Sequence, residues 1–171
     1  MYNAKMKRVF TAINLPDNLK QKLFAQQKAI KKLFPDEARE VAFKWVEPKN
    51  FHITLDFLGN IKEQALPALT EAMKKQYAPL KPFEIYLTKT CYDQTQNPRL
   101  IWVKAEGGKK QFHITLARIK EWQFKKINPE ELPDIEQEVN LSFPVNSIEV
   151  MESRLSRQGP KYFILNSFKL I

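Results

Sequence analysis

The chain is poor in the residues that most often announce a chemistry. A single cysteine, Cys91, excludes an internal disulfide and suits a reducing compartment. There are two histidines and no HExxH or CxxC spacing, which argues against a zinc site, so no metal and no cofactor is expected. No GxxxxGK[ST] or GxGxxG run is present, which removes a P-loop and a dinucleotide fingerprint. Only four glycines occur in 171 residues, and no Gly/Ser-rich linker divides them, so residues 1–171 are expected to form one domain. No stretch approaches the roughly 18 apolar residues of a membrane span. The start, Met1-Tyr2-Asn3-Ala4-Lys5, has no secretory apolar run, and the expected location is cytoplasmic.

Basic charge is what the chain has in excess. Lys plus Arg number 28 against 19 Asp plus Glu, a net charge of +9 and a pI near 9.6. That balance favours a polyanionic partner such as nucleic acid, although a merely solvated basic surface explains it equally well.

The strongest signal is a verbatim repeat. Phe-His-Ile-Thr-Leu occurs at residues 51–55 and again at 112–116, and the two copies hold both histidines. Internal repetition of this kind points to two halves of one site. A strand period of two puts His52, Thr54 and Asp56 on one face and Ile53, Leu55 and Phe57 on the other; His113 and Thr115 repeat that division against Ile114 and Leu116. Each copy thus offers an imidazole beside a hydroxyl, on a strand anchored by apolar neighbours. A lone histidine in an apolar strand is more often a core residue than a catalyst, but two in identical settings favour a functional pair. Asp56 either orients His52 or is simply solvated, since Ala117 stands at the equivalent second position. Strict alternation puts Arg118 opposite His113, so that it reaches the site only if the strand ends or twists there.

With these motifs go Met6-Lys7-Arg8-Val9-Phe10-Thr11-Ala12-Ile13, Lys44-Trp45-Val46, Asn50 to Gly59 (NFHITLDFLG), Pro98 to Val103 (PRLIWV), Phe112 to Arg118 (FHITLAR) and Gly159-Pro160-Lys161-Tyr162. Together they resemble the 2H phosphoesterase superfamily, and within it the RNA 2',3'-cyclic phosphodiesterases, also called 2'-5' RNA ligases, or LigT-like proteins. The resemblance implies an α+β fold of two lobes, mainly antiparallel sheets related by a pseudo-twofold axis, with helices outside and a central cleft carrying the two HxT motifs. It further implies hydrolysis of RNA 2',3'-cyclic phosphate ends to 2'-phosphates without a metal, with weak reverse ligation. In that mechanism His113 takes a proton from water and His52 protonates the departing 3' oxygen. Thr54 and Thr115 would donate to the non-bridging phosphate oxygens, and Arg118 is a further candidate phosphate ligand. The implied partner is RNA with a cyclic phosphate end, or a related nucleotide; no membrane and no specific protein partner is indicated. Histidine suits the chemistry because its unperturbed pKa, about 6.5, lets one ring be neutral while another is protonated.

Periodicity predicts strands over Lys7 to Asn14, Phe43 to Val46, His52 to Phe57, Phe83 to Thr90, Leu100 to Lys104, Leu141 to Val150 and Tyr162 to Leu170. Helices are predicted from Asp17 to before Pro35 and over Glu63 to Lys75, with a break at Gly59-Asn60 and a polar stretch from Pro129 to Glu138. The chain departs from its relatives in one respect. Forty-four positions separate Arg8 from His52 but only fourteen separate Arg99 from His113. The second half therefore has no room for a helix, and Glu106-Gly107-Gly108-Lys109-Lys110-Gln111 is expected to turn tightly into a hairpin. A second lobe without that helix and a sequence from which a segment has been lost remain alternatives. Phe112 also stands where relatives usually have proline.

Tyr2, Phe10, Trp45, Tyr92, Trp102 and Tyr162 could include a stacking platform for a base, although most strand aromatics are core. Ser153 matches a serine common late in the family. The competing readings are a noncatalytic RNA-end or nucleotide-binding module, and a 2H phosphodiesterase acting on another cyclic or 2'-5' phosphate.

Overall fold

The computed structural model describes residues 5–128, 130, 132–157 and 159–171. In chain order the elements are β1 (Met6–Asn14), α1 (Asp17–Leu33), α2 (Asp36–Val41), β2 (Phe43–Trp45), β3 (His52–Lys62), α3 (Leu66–Tyr77), β4 (Phe83–Tyr92), β5 (Leu100–Gly107), β6 (Lys110–Ile119), α4 (Glu121–Phe124), β7 (Gln137–Val145), β8 (Ser147–Ser156) and β9 (Gly159–Lys169). The expected α+β class with antiparallel pairing is what forms. Contacts gather the chain into two compact units: one has the segment ending at Asn14, His52–Glu84 and Pro144–Ile171, the other Leu15–Phe51 and Ile85–Phe143.

In the first unit the strands run in the order β3-β1-β8-β9, each pair antiparallel. One face is the core under α3. There Tyr77, buried at the end of α3, donates its hydroxyl to Thr11 Oγ1 (3.2 Å) and Asp56 Oδ2 (3.4 Å). β3 was expected to break at Gly59-Asn60, but it continues to Lys62. Gly59 takes φ +83°, which glycine adopts without a Cβ penalty, and it follows a register shift against β1.

The second unit orders its strands β7-β4-β5-β6, with β2 on the far side of β6. α1 begins after Pro16 with Asp17 in its first turn, and Leu19, Leu23, Gln27 and Ile30 recur on one buried stripe until Phe34-Pro35 ends it. The stripe covers the core face of the sheet. Gln26 Nε2 donates to Thr90 Oγ1 (2.8 Å), and Thr90 lies across from Val103, itself across from Ile114. The anticipated hairpin is present: β5 and β6 pair from Leu100↔Arg118 out to Gly107↔Lys110. Gly108 holds φ +61° at the first of the two turn positions, where a type II′ turn favours glycine.

Besides β3, other elements differ from the periodicity reading, among them the short α4, which was not anticipated. The strand expected over 141–150 is two strands, β7 and β8, interrupted at Asn146. The short α2 was not anticipated; Pro35 and two first-turn acids start it. Of the polar stretch expected from Pro129, Pro129 and Glu131 lie outside the described residues. Among the described residues no helix is long and apolar enough to cross a membrane.

Candidate active site

Both histidine strands carry an irregularity at the same point of the repeat. On β3 the partners along β1 are His52↔Asn14, Thr54↔Ala12 and then Asp56↔Thr11, so Leu55 is an extra residue. On β6 the partners along β5 are His113↔Lys104, Thr115↔Trp102 and then Ala117↔Ile101, so Leu116 is extra. A bulge of this kind puts two residues opposite one and resets the alternation beyond it.

The consequence for Asp56 corrects the expectation that it shares the face of His52. Thr11 and Ala12 are neighbours on β1 and point to opposite faces. Asp56, across from Thr11, therefore turns to the α3 side and accepts from Tyr77, while Thr54 stays with His52. Phe57, across from Phe10, takes the place on the histidine face and is 70% exposed.

The same reset brings Arg118 to the face of His113. Leu100, Trp102 and Lys104 lie on one face of β5, and their partners are Arg118, Thr115 and His113. Strict alternation had put Arg118 on the other side; the bulge at Leu116 is the physical reason it is not. Leu116 and Ala117 are consecutively buried, and Arg118 then emerges exposed.

His52 is half-buried, and its Nε2 lies 3.0 Å from Thr54 Oγ1. Its ring packs edge-on against Tyr162 (4.9 Å between centroids) and tilted against Phe10 (5.3 Å). Phe10, Ala12 and Met151 form a small apolar cluster with Tyr162 packed on it. His113 lies 4.5 Å from the Trp102 ring, whose Nε1–H points at Cys91 Sγ (3.3 Å). Burial pushes the His113 pKa below its ordinary 6.5, and the Arg118 guanidinium pushes it the same way; Asp93 opposes them.

Of the six aromatics considered as a platform, Phe10 and Tyr162 touch His52 and Trp102 touches His113. Trp45 instead packs on Phe43 and bonds Arg39 O, Tyr92 packs on Phe124, and Tyr2 lies outside the described residues. Ser153 lies across from Arg8 on β1 and Tyr162 on β9.

Three side chains were missed by the sequence reading. Gln27, 4% exposed, donates from Nε2 to both Val46 O and Leu116 O (2.8 Å each), and Val46 N–H also donates to Leu116 O (2.9 Å). The bulge carbonyl is thus held from the helix side and from the strand before the first motif. Helical spacing put Gln27 on the apolar stripe, a signal that it is buried for its hydrogen bonds. Lys44 lies across from Arg118, and like charges in direct opposition on a sheet are unfavourable without an anion between them. Glu149, buried across from Ala12, accepts from Ser147 (2.5 Å) and Ser167 (3.2 Å) hydroxyls. Among the described residues no group of three or more His, Cys, Asp or Glu side chains could hold a metal ion.

Residues 13–102 and 103–162 match the family described as LigT like Phosphoesterase. A protein of Aquifex aeolicus named RNA 2',3'-cyclic phosphodiesterase is 30% identical over 159 residues, covering 74% of this chain and 81% of that protein. One of the same name from Archaeoglobus fulgidus is 26% identical over 189 residues, covering 95% and 99%. A crystal structure of a Thermus thermophilus protein superposes with a TM-score of 0.77 at 25% identity, over 95% of this chain and 97% of that one. E. coli LigT crystallised with 3'-AMP has the same fold, with a TM-score of 0.72 at 22% identity over 97% and 99%.

Proposed function

This chain belongs to the LigT like Phosphoesterase family, and from that premise we propose that it hydrolyses RNA 2',3'-cyclic phosphate ends to 2'-phosphates with its two histidines as general base and general acid. The observation that carries the reading is the pair of bulged His-x-Thr strands, one of them with an imidazole whose pKa burial and a neighbouring arginine lower. A general base must be deprotonated before it acts. Burial and Arg118 both favour the neutral ring of His113, which supports His113 as the base and leaves the acid role to His52.

His113 accepts a proton from water as the water oxygen attacks phosphorus. The P–O3' bond breaks in line, and the 3' oxygen takes its proton from His52. The product carries a 2'-phosphate and a 3'-hydroxyl, and proton exchange with solvent resets both rings. Thr54, Thr115 and Arg118 donate to the non-bridging oxygens as negative charge builds there, an electrostatic contribution that needs no nucleophilic role. With a 5'-hydroxyl in place of water as the nucleophile, His113 would take that hydroxyl's proton and His52 would again protonate the 3' oxygen, joining the two ends as a weak 2'-5' ligation. No step requires a metal ion.

The test is a short RNA ending in a 2',3'-cyclic phosphate, incubated in EDTA, with the product ends resolved as 2'- or 3'-phosphate. Turnover to the 2'-phosphate is expected. A 3'-phosphate product, or turnover abolished by EDTA, would overturn the mechanism; saturable binding without turnover would support a noncatalytic RNA-end module instead.

A further inference from the structure

The face of the second unit continues past His113 into a cavity of about 500 Å³, within the size range of small-molecule sites. It is bounded by Trp102 and His113 at one end, Lys104 and Thr88 along its middle, and Glu138 and Asn140 on β7 at the other. From β6 to β7 is three strand steps, roughly 14 Å at the usual interstrand spacing, which is room for one nucleotide beyond the reacting phosphate. We propose that this cavity receives the nucleotide immediately 5' of the one bearing the cyclic phosphate, with Lys104 on the phosphate that joins the two. The inference rests on the activity proposed above, and it extends the substrate from a cyclic phosphate end to a strand read over two nucleotides.

The polarity of the cavity orients its occupant. Lys104 stands directly across from His113 in the β5–β6 register and is the one cationic residue of β5. The other lysine of the lining, Lys89, is paired with Glu136 at 2.8 Å. Lys104 is exposed and makes no ion pair among the described residues, which leaves its charge for an anion from outside. The far end has the opposite character. Glu138 accepts from Asn140 Nδ2 (3.0 Å) and keeps lone pairs for ribose hydroxyls or base amino groups, while it repels phosphate. Asn140 holds φ +47°, a left-handed conformation that asparagine tolerates. Glu106, two residues on from Lys104 and on the same face of β5, also lines the cavity and repels phosphate from the hairpin side, so an anion is favoured on the His113 side of Lys104 and a neutral nucleoside beyond it.

The test compares three substrates: uridine 2',3'-cyclic phosphate, the same compound with a 5'-phosphate, and a dinucleotide ending in uridine 2',3'-cyclic phosphate. Wild type is expected to prefer the second over the first in kcat/KM, and the third over the second. Lys104→Ala should reduce the preference for a 5'-phosphate roughly tenfold, the scale of one charge-assisted hydrogen bond at an open site, and Lys104→Arg should restore most of it. Asn140→Gly, which removes the amide and keeps the left-handed backbone unstrained, should remove the further gain given by the second nucleoside. Equal losses on all three substrates in Lys104→Ala would overturn the inference, as would loss of the preference in Lys44→Ala with retention in Lys104→Ala. Calorimetric binding of the 2'-phosphate mono- and dinucleotides is measured on the same proteins. If no substrate turns over, a Lys104-dependent dinucleotide preference in binding would still support the subsite while the proposed activity fails; no preference in either measurement would overturn both.

Discussion

Replacing Gln27 with leucine should disturb the second half of the site from the far side of the sheet. The amide is buried, and its Nε2 supplies two hydrogen bonds, to Val46 O and to Leu116 O, the carbonyl of the bulge residue. Leucine keeps most of the volume and removes both donors. At about 1 kcal/mol for each buried bond lost, Gln27→Leu costs about 2 kcal/mol. In a chain of this length that is a fall of roughly 4–8 °C in Tm, read by calorimetry. Val46 N–H still holds Leu116 O, so the strand survives, but the bulge loses the clamp that keeps Arg118 on the face of His113. Arg118 lowers the His113 pKa, and with the arginine displaced that pKa should move up toward its ordinary value. The acid limb of the pH–kcat/KM profile should then shift to higher pH. A Gln27→Leu protein with wild-type Tm and an unmoved acid limb would refute the clamp.

Other substitutions separate the roles of neighbouring groups. Arg118→Ala removes a positive charge that disfavours imidazolium, so the acid limb should move to higher pH and kcat should fall; an unmoved limb would show that Arg118 does not act on His113. Asp56→Ala should stay within about 0.5 kcal/mol in stability and about twofold in kcat/KM, as for a surface position, because Asp56 faces Tyr77 and not His52. A large loss of activity would return Asp56 to the site. Tyr162→Ala removes the ring packed edge-on against His52 and should lower kcat on the order of 10²-fold, the cost of a misplaced catalytic group, with Tyr162→Phe intermediate.

The parts legible in the sequence are those that follow from regular geometry. A verbatim repeat with both histidines marked the two strands, Gly107-Gly108 marked the hairpin, and apolar spacing marked α1. What was not legible comes from departures from that geometry. Leu55 and Leu116 read as ordinary members of an alternating strand, because an apolar residue suits a bulge facing the core as well as it suits the core itself. Those two residues decide that Asp56 leaves the histidine face and Arg118 joins it. Gln27 was hard to read for a related reason, since the value of a polar residue on an apolar stripe depends on a carbonyl 89 positions away. The break at Asn146 lies within a run of strand-forming residues and shows only once β8 is seen to pair with β1.

The central claim is that His52 and His113 act as one acid–base pair. It is tested most directly by kcat/KM of His52→Ala, His113→Ala and the double variant on RNA ending in a 2',3'-cyclic phosphate, in EDTA. Each single loss should be on the order of 10²–10⁴, the scale of one general acid or base, and the double variant should lose far less than the product of the two because neither ring works without the other. A single variant that keeps wild-type activity, or losses that multiply in the double variant, would contradict the account.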